Sequence, residues 1–260
     1  MLGSRYDCGD FGQRFGQERV LGLTLILIKI AQAFMFDWLF EKRFSLEQMS
    51  TELPRSEVLR RGRVVILDDE VPEMIADLKR QGLAVEHWVS TSDSNFGRLE
   101  TGFYDVLLLD YGGIGRSFGH DEGLDVLRHL KRVNPALKIL AFSSRTFDAS
   151  KADFFRLSDG VIRKDAGIRE MMEQIETHLS QSLTPATYFK AICTTLGIEP
   201  ESESAKRIGR LILRAADHPK KSGQLLEAVR SLAATAGTST VESLASKAVD
   251  LVVASTSSSI

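Results

Sequence analysis

The sequence predicts an α/β fold: a doubly wound parallel sheet of five strands over residues 63–182, with an N-terminal extension (1–62) carrying an apolar helix and an all-α region (183–260) after it. Three observations predict it. Between Arg63 and Ser180, apolar strand-like runs alternate with amphipathic helical ones, the pattern of βα units. The runs end in polar groups: RVVILDDE closes on Asp68, Asp69 and Glu70, YDVLLLD on Asp110, KILAFSS on Ser143 and Ser144, and GVIRKDA delivers Lys164. Finally, 260 residues with 43% hydrophobic and 26% charged content suit one large globular domain or two modest ones.

The formal net charge of -2 is unevenly spread. Residues 1–62 carry 9 Lys+Arg against 8 Asp+Glu, residues 63–182 carry 15 against 20, and residues 183–260 carry 9 against 7. The acid therefore sits in the middle, and the C-terminal excess is too small to argue for nucleic acid on electrostatics alone. Cys8 and Cys193 stand far apart with no metal-ligand spacing, which excludes a disulfide framework or zinc site and fits a reducing cytoplasm. No secretory signal is apparent.

In chain order, residues 1–19 read as polar and disordered. Val20 to Phe40 forms an apolar run that, as a helix, would reach roughly 31 Å and so just span a bilayer. Its twelve Val, Leu, Ile and Phe residues favour insertion by roughly 4 to 7 kcal/mol, while Lys29 costs about 3 and Gln32 and Asp37 add more. Those charges favour a buried or dimerising helix over a span, with a tether to the inner face of the membrane as the other reading. A start at Met35 or Met49 would remove much of the run. Ser45 to Arg61 reads as a short polar helix or linker broken at Pro54.

Strands are expected near 63–68, 83–89, 105–109, 138–142 and 160–163. Pro72 suits the first turn of a helix facing inward with Met74, Ile75 and Leu78 and closed by Gly82. Leu124, Val126, Leu127 and Leu130 make the stripe of a second helix, stopped before Pro135. A short helix is weakly signalled over 150–157, and Ile168, Met171, Met172, Ile175 and Leu179 define the last.

Open parallel sheets collect ligands beyond the carboxyl ends of their strands, where Asp68, Asp69, Asp110, Ser143 and Lys164 all fall. Singly, each reads as a cap, a solvated turn or an exposed cation; the ordered set at matching strand ends is what points to chemistry. Three carboxylates brought together cannot all stay ionised without a counter-ion, so a divalent cation is implied.

Over residues 63–182 these motifs resemble the receiver domain of two-component response regulators, and IRKDAG looks like receivers of the LuxR-type regulators. The family's acidic pair corresponds to Asp68 and Asp69, its phosphorylated aspartate to Asp110, its switch hydroxyl to Ser143 and its lysine to Lys164. The resemblance implies a flavodoxin-like strand order, 2-1-3-4-5. It also implies Mg2+ held by Asp68, Asp69, Asp110 and the Gly112 carbonyl. Asp110 would take a phosphoryl group from a sensor histidine kinase or phosphotransfer protein, Lys164 and Ser143 contacting its oxygens. Two departures stand out. Val161 occupies the position three before the lysine where an aromatic residue is usual, and the 111–123 loop is longer, lacks the usual proline and is glycine-rich, hence flexible. His120 within it reads as a solvated side chain.

Beyond Thr184 and Pro185 four helices are expected, near 186–196, 202–216, 220–235 and 239–253. One carries a stripe of Ile208, Leu211, Ile212 and Ala215, another of Leu225, Val229 and Leu232, and Ser255 to Ser259 reads as an unstructured tail. No nucleotide loop, GGDEF-like sequence or triad appears, so no enzymatic output is expected beyond hydrolysis of the chain's own aspartyl phosphate. The leading expectation is a phosphorylation-controlled interaction module acting on protein partners or a second copy. The alternatives are a DNA-binding regulator using the helix with Lys206, Arg207, Arg210 and Arg214, which is not favoured, and a receiver that has lost phosphotransfer.

Overall fold

The computed structural model describes residues 44–91, 93–144, 151–233 and 237–257. The apolar run 20–40, Cys8 and residues 258–260 lie outside them, and so does the expected span or tether. Among the described residues no helix is long and apolar enough to cross a membrane.

Five strands, β1 (Arg63–Leu67), β2 (Ala84–Trp88), β3 (Val106–Leu109), β4 (Lys138–Ser143) and β5 (Gly160–Arg163), form one parallel sheet in the order β2-β1-β3-β4-β5. This is the expected doubly wound flavodoxin-like order. The inner strands are apolar on both faces because helices cover both. Val64, Ile66, Val106 and Leu108 point to one side and Val65, Leu67, Leu107 and Leu109 to the other, all fully buried. Each such side chain contributes roughly 1.5–3 kcal/mol by leaving water.

Helices α1 (Arg55–Arg61), α2 (Ile75–Arg80), α3 (Asp93–Glu100), α4 (Gly123–Val133), α5 (Ala152–Leu157) and α6 (Ile168–Ser182) surround the sheet. Phe96 and Leu99 of α3, Leu124, Val126, Leu127 and Leu130 of α4, and Phe154 of α5 cover one face. Leu78 of α2 and Met171, Met172, Ile175 and Leu179 of α6 cover the other. The α2 helix starts at Ile75, later than Pro72 suggested; Pro72 instead lies in the preceding turn, its carbonyl accepting from the Ile75 N–H at 3.4 Å.

The C-terminal region is helical as expected: α7 (Pro185–Leu196), α8 (Glu203–Asp217), α9 (Ser222–Leu232) and α10 (Thr238–Ser257). Thr184 caps α7 by accepting from the Thr187 N–H, and Ser202 caps α8 by accepting from Ala205. Ile208, Ile212 and Ala215 face inward while Leu211 is half-buried; Leu225 and Val229 are buried, but Leu232 is 39% exposed and does not complete its stripe. The expected serine tail is also corrected: α10 continues to Ser257, and Ser255 is buried and donates to the Val252 carbonyl.

These helices share one apolar cluster with a sheet face, running through Val64, Ile66, Met171, Leu183, Tyr188, Phe189 and Leu244. Residues from Phe44 onward form one compact unit. The 45–61 segment, read as a polar helix or linker, supplies Met49, Leu53 and Val58 to that core. Phe44 packs its ring against Gly209, where an added Cβ would come within 2.3 Å of it.

Candidate functional site

The sheet ladder continues past the strand ends and sets the positions of the candidate residues. The Asp68 N–H donates to the Trp88 carbonyl at 3.1 Å, the Asp110 N–H to Leu67 at 2.9 Å, and the Lys164 N–H to Ser143 at 2.9 Å. Strands β1, β3, β4 and β5, neighbours in the sheet, thus deliver acid, acid, hydroxyl and amine to the same edge, which a parallel register does whenever the apolar runs stop in step.

Asp68, Asp69 and Asp110 each offer an oxygen within 4.8 Å of the others. Asp68 is 1% exposed, and its Oδ1 accepts from the Glu70 N–H at 3.0 Å. His87 Nε2 lies 2.9 Å from the Asp68 carbonyl, which fixes the backbone at this turn. Lys164 reaches across from β5, its Nζ 2.7 Å from Asp68 Oδ2 and 3.5 Å from Asp110 Oδ2.

Burial, and after it the Asp68 charge, pushes the Asp110 carboxyl above its ordinary range although Lys164 pulls the other way. For Lys164, burial works against the ammonium, but the hydrogen bond to Asp68 and the charges of Asp110 and Asp68 outweigh it and raise its pKa. Three carboxylates against one ammonium leave an excess of negative charge, and all the donors are hard oxygens. That donor set fits Mg2+.

Gly112 borders this group, since a Cβ built on it would lie 4.0 Å from Asp110 Oδ2. Ser143 ends β4 half-buried, two residues beyond the Leu109–Ala141 pair. Val161, in β5, is 38% exposed, and His120 is exposed in its loop.

The 111–123 loop adopts a hydrogen-bonded conformation. Glu122 accepts from the Gly113 N–H at 3.1 Å and from Arg116 Nε at 3.4 Å, the Gly123 N–H donates to Tyr111, and Phe118 packs on Phe96 at 4.6 Å. Glu122 itself takes φ +47°, strained for a residue with a Cβ. Gly113, at φ +72°, passes so close to Asp69 that a Cβ would come within 2.2 Å of its Oδ2.

Sequence reasoning missed Asp105, just ahead of β3. It is fully buried and accepts from the Arg63 N–H (2.9 Å), Tyr188 Oη (2.8 Å) and Lys247 Nζ (2.5 Å). The signal was an acid set against an unbroken apolar run in YDVLLLD, but nothing local named its partners, which lie 83 and 142 residues away. Of the four cations of α8, Lys206 pairs with Glu203 at 3.0 Å, Arg210 is half-buried, and Arg207 and Arg214 are exposed.

No protein-family model matches the chain, and no curated protein matches it. Solved structures similar to part of the chain include receiver domains of response regulators. A CheY-like receiver domain protein from Methanospirillum hungatei is 19% identical over 46% of this chain and 95% of its own, with a TM-score of 0.38. A two-component response regulator from Clostridium difficile is 14% identical over 45% and 95%, also at 0.38. The response regulator TrrA from Thermotoga maritima, in complex with Mg2+ and BeF, is 19% identical over 45% and 98%, again at 0.38.

Proposed function

We propose that this chain is a two-component response regulator in which Asp110 accepts a phosphoryl group from a histidine kinase or phosphotransfer protein. The observation that carries this reading is the meeting of Asp68, Asp69 and Asp110 within 4.8 Å at one sheet edge, with Lys164 bridging Asp68 and Asp110. Asp110 lies within 4.8 Å of both Asp68 and Asp69 yet stays accessible at 16% of its side chain, as a nucleophile must.

In the transfer, an Asp110 carboxylate oxygen forms a bond to phosphorus as the P–N bond to the donor imidazole breaks, the electron pair leaving with that nitrogen. A Mg2+ ion held by Asp68, Asp69 and Asp110 would supply positive charge to the phosphoryl oxygens. Lys164 then exchanges its contact with the Asp110 carboxylate for one with a phosphoryl oxygen, keeping its hydrogen bond to Asp68. The Ser143 hydroxyl serves a further oxygen. Its backbone carbonyl is bonded to the Lys164 N–H, so the ends of β4 and β5 respond together.

Output passes to protein partners through the helices that share the sheet's core. At Val161 the readout uses an exposed aliphatic surface in place of an aromatic ring.

Intact-mass measurement after incubation with acetyl phosphate and Mg2+ tests this. The wild type should gain one phosphoryl group, and chelating the metal should abolish the gain. A wild type that gains nothing while another receiver in the same mixture is labelled would favour the phosphotransfer-deficient alternative.

A further inference from the structure

A cleft of about 780 Å3 opens at the sheet edge opposite the carboxylates, between the first residues of β1 and β2, the turn before β3, and α10. Arg60, Arg61, Arg63, Lys79 and Lys247 line it, against Glu86 and Asp250. Several of these charges are already matched. Lys247 is held by Asp105 at 2.5 Å, and Glu86 by Arg98 at 2.9 Å.

The rest are not balanced. Arg60 and Arg61 share the one carboxylate of Glu57, at 2.6 and 2.8 Å, so a charge there is left over. Arg63 lays its guanidinium over the Phe103 ring at 4.0 Å and has no carboxylate partner among the described residues. Lys79 is exposed and likewise has no ion pair among them. Asp250 alone opposes these, so the cleft keeps a surplus of positive charge. Beneath the cations, Leu83, Val85, Leu183 and Leu251 are packed into the core and almost fully buried, and Ser243 and Ser246 of α10 join the lining.

We propose that this cleft binds a nucleotide carrying two or more phosphates. Guanidinium forks and an ammonium spread along a rim match a chain of phosphate oxygens, and the volume, within the usual 300–1,000 Å3 range for small-molecule sites, leaves room for the remainder of such a molecule. Since one wall is the sheet edge and the other is α10, a bound nucleotide spans the Asp105–Lys247 bridge and braces the helical region on the sheet.

Calorimetric titration of the full chain with ATP, inorganic pyrophosphate and adenosine, at low salt and with chelator to keep metal from the acidic edge, tests this. ATP should bind saturably and adenosine should not. Arg63→Ala/Lys79→Ala should weaken ATP at least about tenfold, as should the single change Lys79→Glu at an exposed position that folding does not need. Asp110→Asn and Lys190→Ala/Lys220→Ala should leave it unchanged, which separates this site from the phosphoacceptor edge and from general charge. Pyrophosphate binding beside ATP supports the phosphate contacts, and ATP binding without it still supports a nucleotide. Failure of ATP to bind, adenosine binding as tightly as ATP, or affinity unmoved in both cleft variants would overturn the proposal.

Discussion

Lys247, on α10, donates to the carboxylate of Asp105 at 2.5 Å, and Asp105 is completely buried at the head of β3. The pair joins residues 142 positions apart and ties the last helix to the middle of the sheet. Tyr188 donates to the same oxygen, and its phenol is held far above its usual pKa by burial and by the Asp105 charge, so it stays a donor.

Removing one partner of such a pair strands a buried charge. Lys247→Met should cost about 3–5 kcal/mol of stability in urea unfolding, and Asp105→Asn/Lys247→Met should cost less than the two single changes summed. A Lys247→Met protein as stable as wild type would show that the bridge does not hold the helices on.

Gly113→Ala tests how the long loop shapes the acidic edge. Its φ of +72° disfavours any side chain, and the new Cβ would collide with Asp69 Oδ2. Destabilisation of about 1 kcal/mol or more is expected. Displacement of Asp69 should also weaken Mg2+ by roughly tenfold, the usual cost of disturbing a supporting contact. Titration of the metal against the intrinsic fluorescence of Trp88, whose carbonyl accepts from Asp68, reads that loss.

Burial pushes the Cys193 thiol up to about 11, and the side chain is 1% exposed. Alkylation at this residue, followed by peptide mass spectrometry at about pH 8, should be at least ~100-fold slower in the folded protein than in urea. The unfolded thiol ionises near 8.5. Above that value the native state holds more protons, so this group's contribution is fully present below it and is lost as pH rises toward 11. Cys193→Ala should flatten that part of the stability profile; an unchanged slope would rule the thiol out as its source.

The acidic edge was legible because its logic is local: apolar runs ending in step force Asp68, Asp110, Ser143 and Lys164 to one edge once the strands pair in parallel. Helix α3 was not foreseen, since its sequence DSNFGRLE carries a glycine and only Phe96 and Leu99 as anchors; it forms because those two side chains complete a buried face. The serine tail was misread for a related reason. Polar text looked solvated, but packing against α7 and α8 carries α10 through Ser257. Asp105 could not be interpreted without the distant Tyr188 and Lys247, and a buried charge shows its meaning only through such partners.

Borohydride reduction of the phosphodonor-treated protein, followed by peptide mapping, locates an acyl phosphate on the chain. The reduced residue should appear at position 110 in the wild type, and no labelled peptide should appear in Asp110→Asn. Labelling at another carboxylate, or labelling that survives Asp110→Asn undiminished, would contradict Asp110 as the phosphoacceptor.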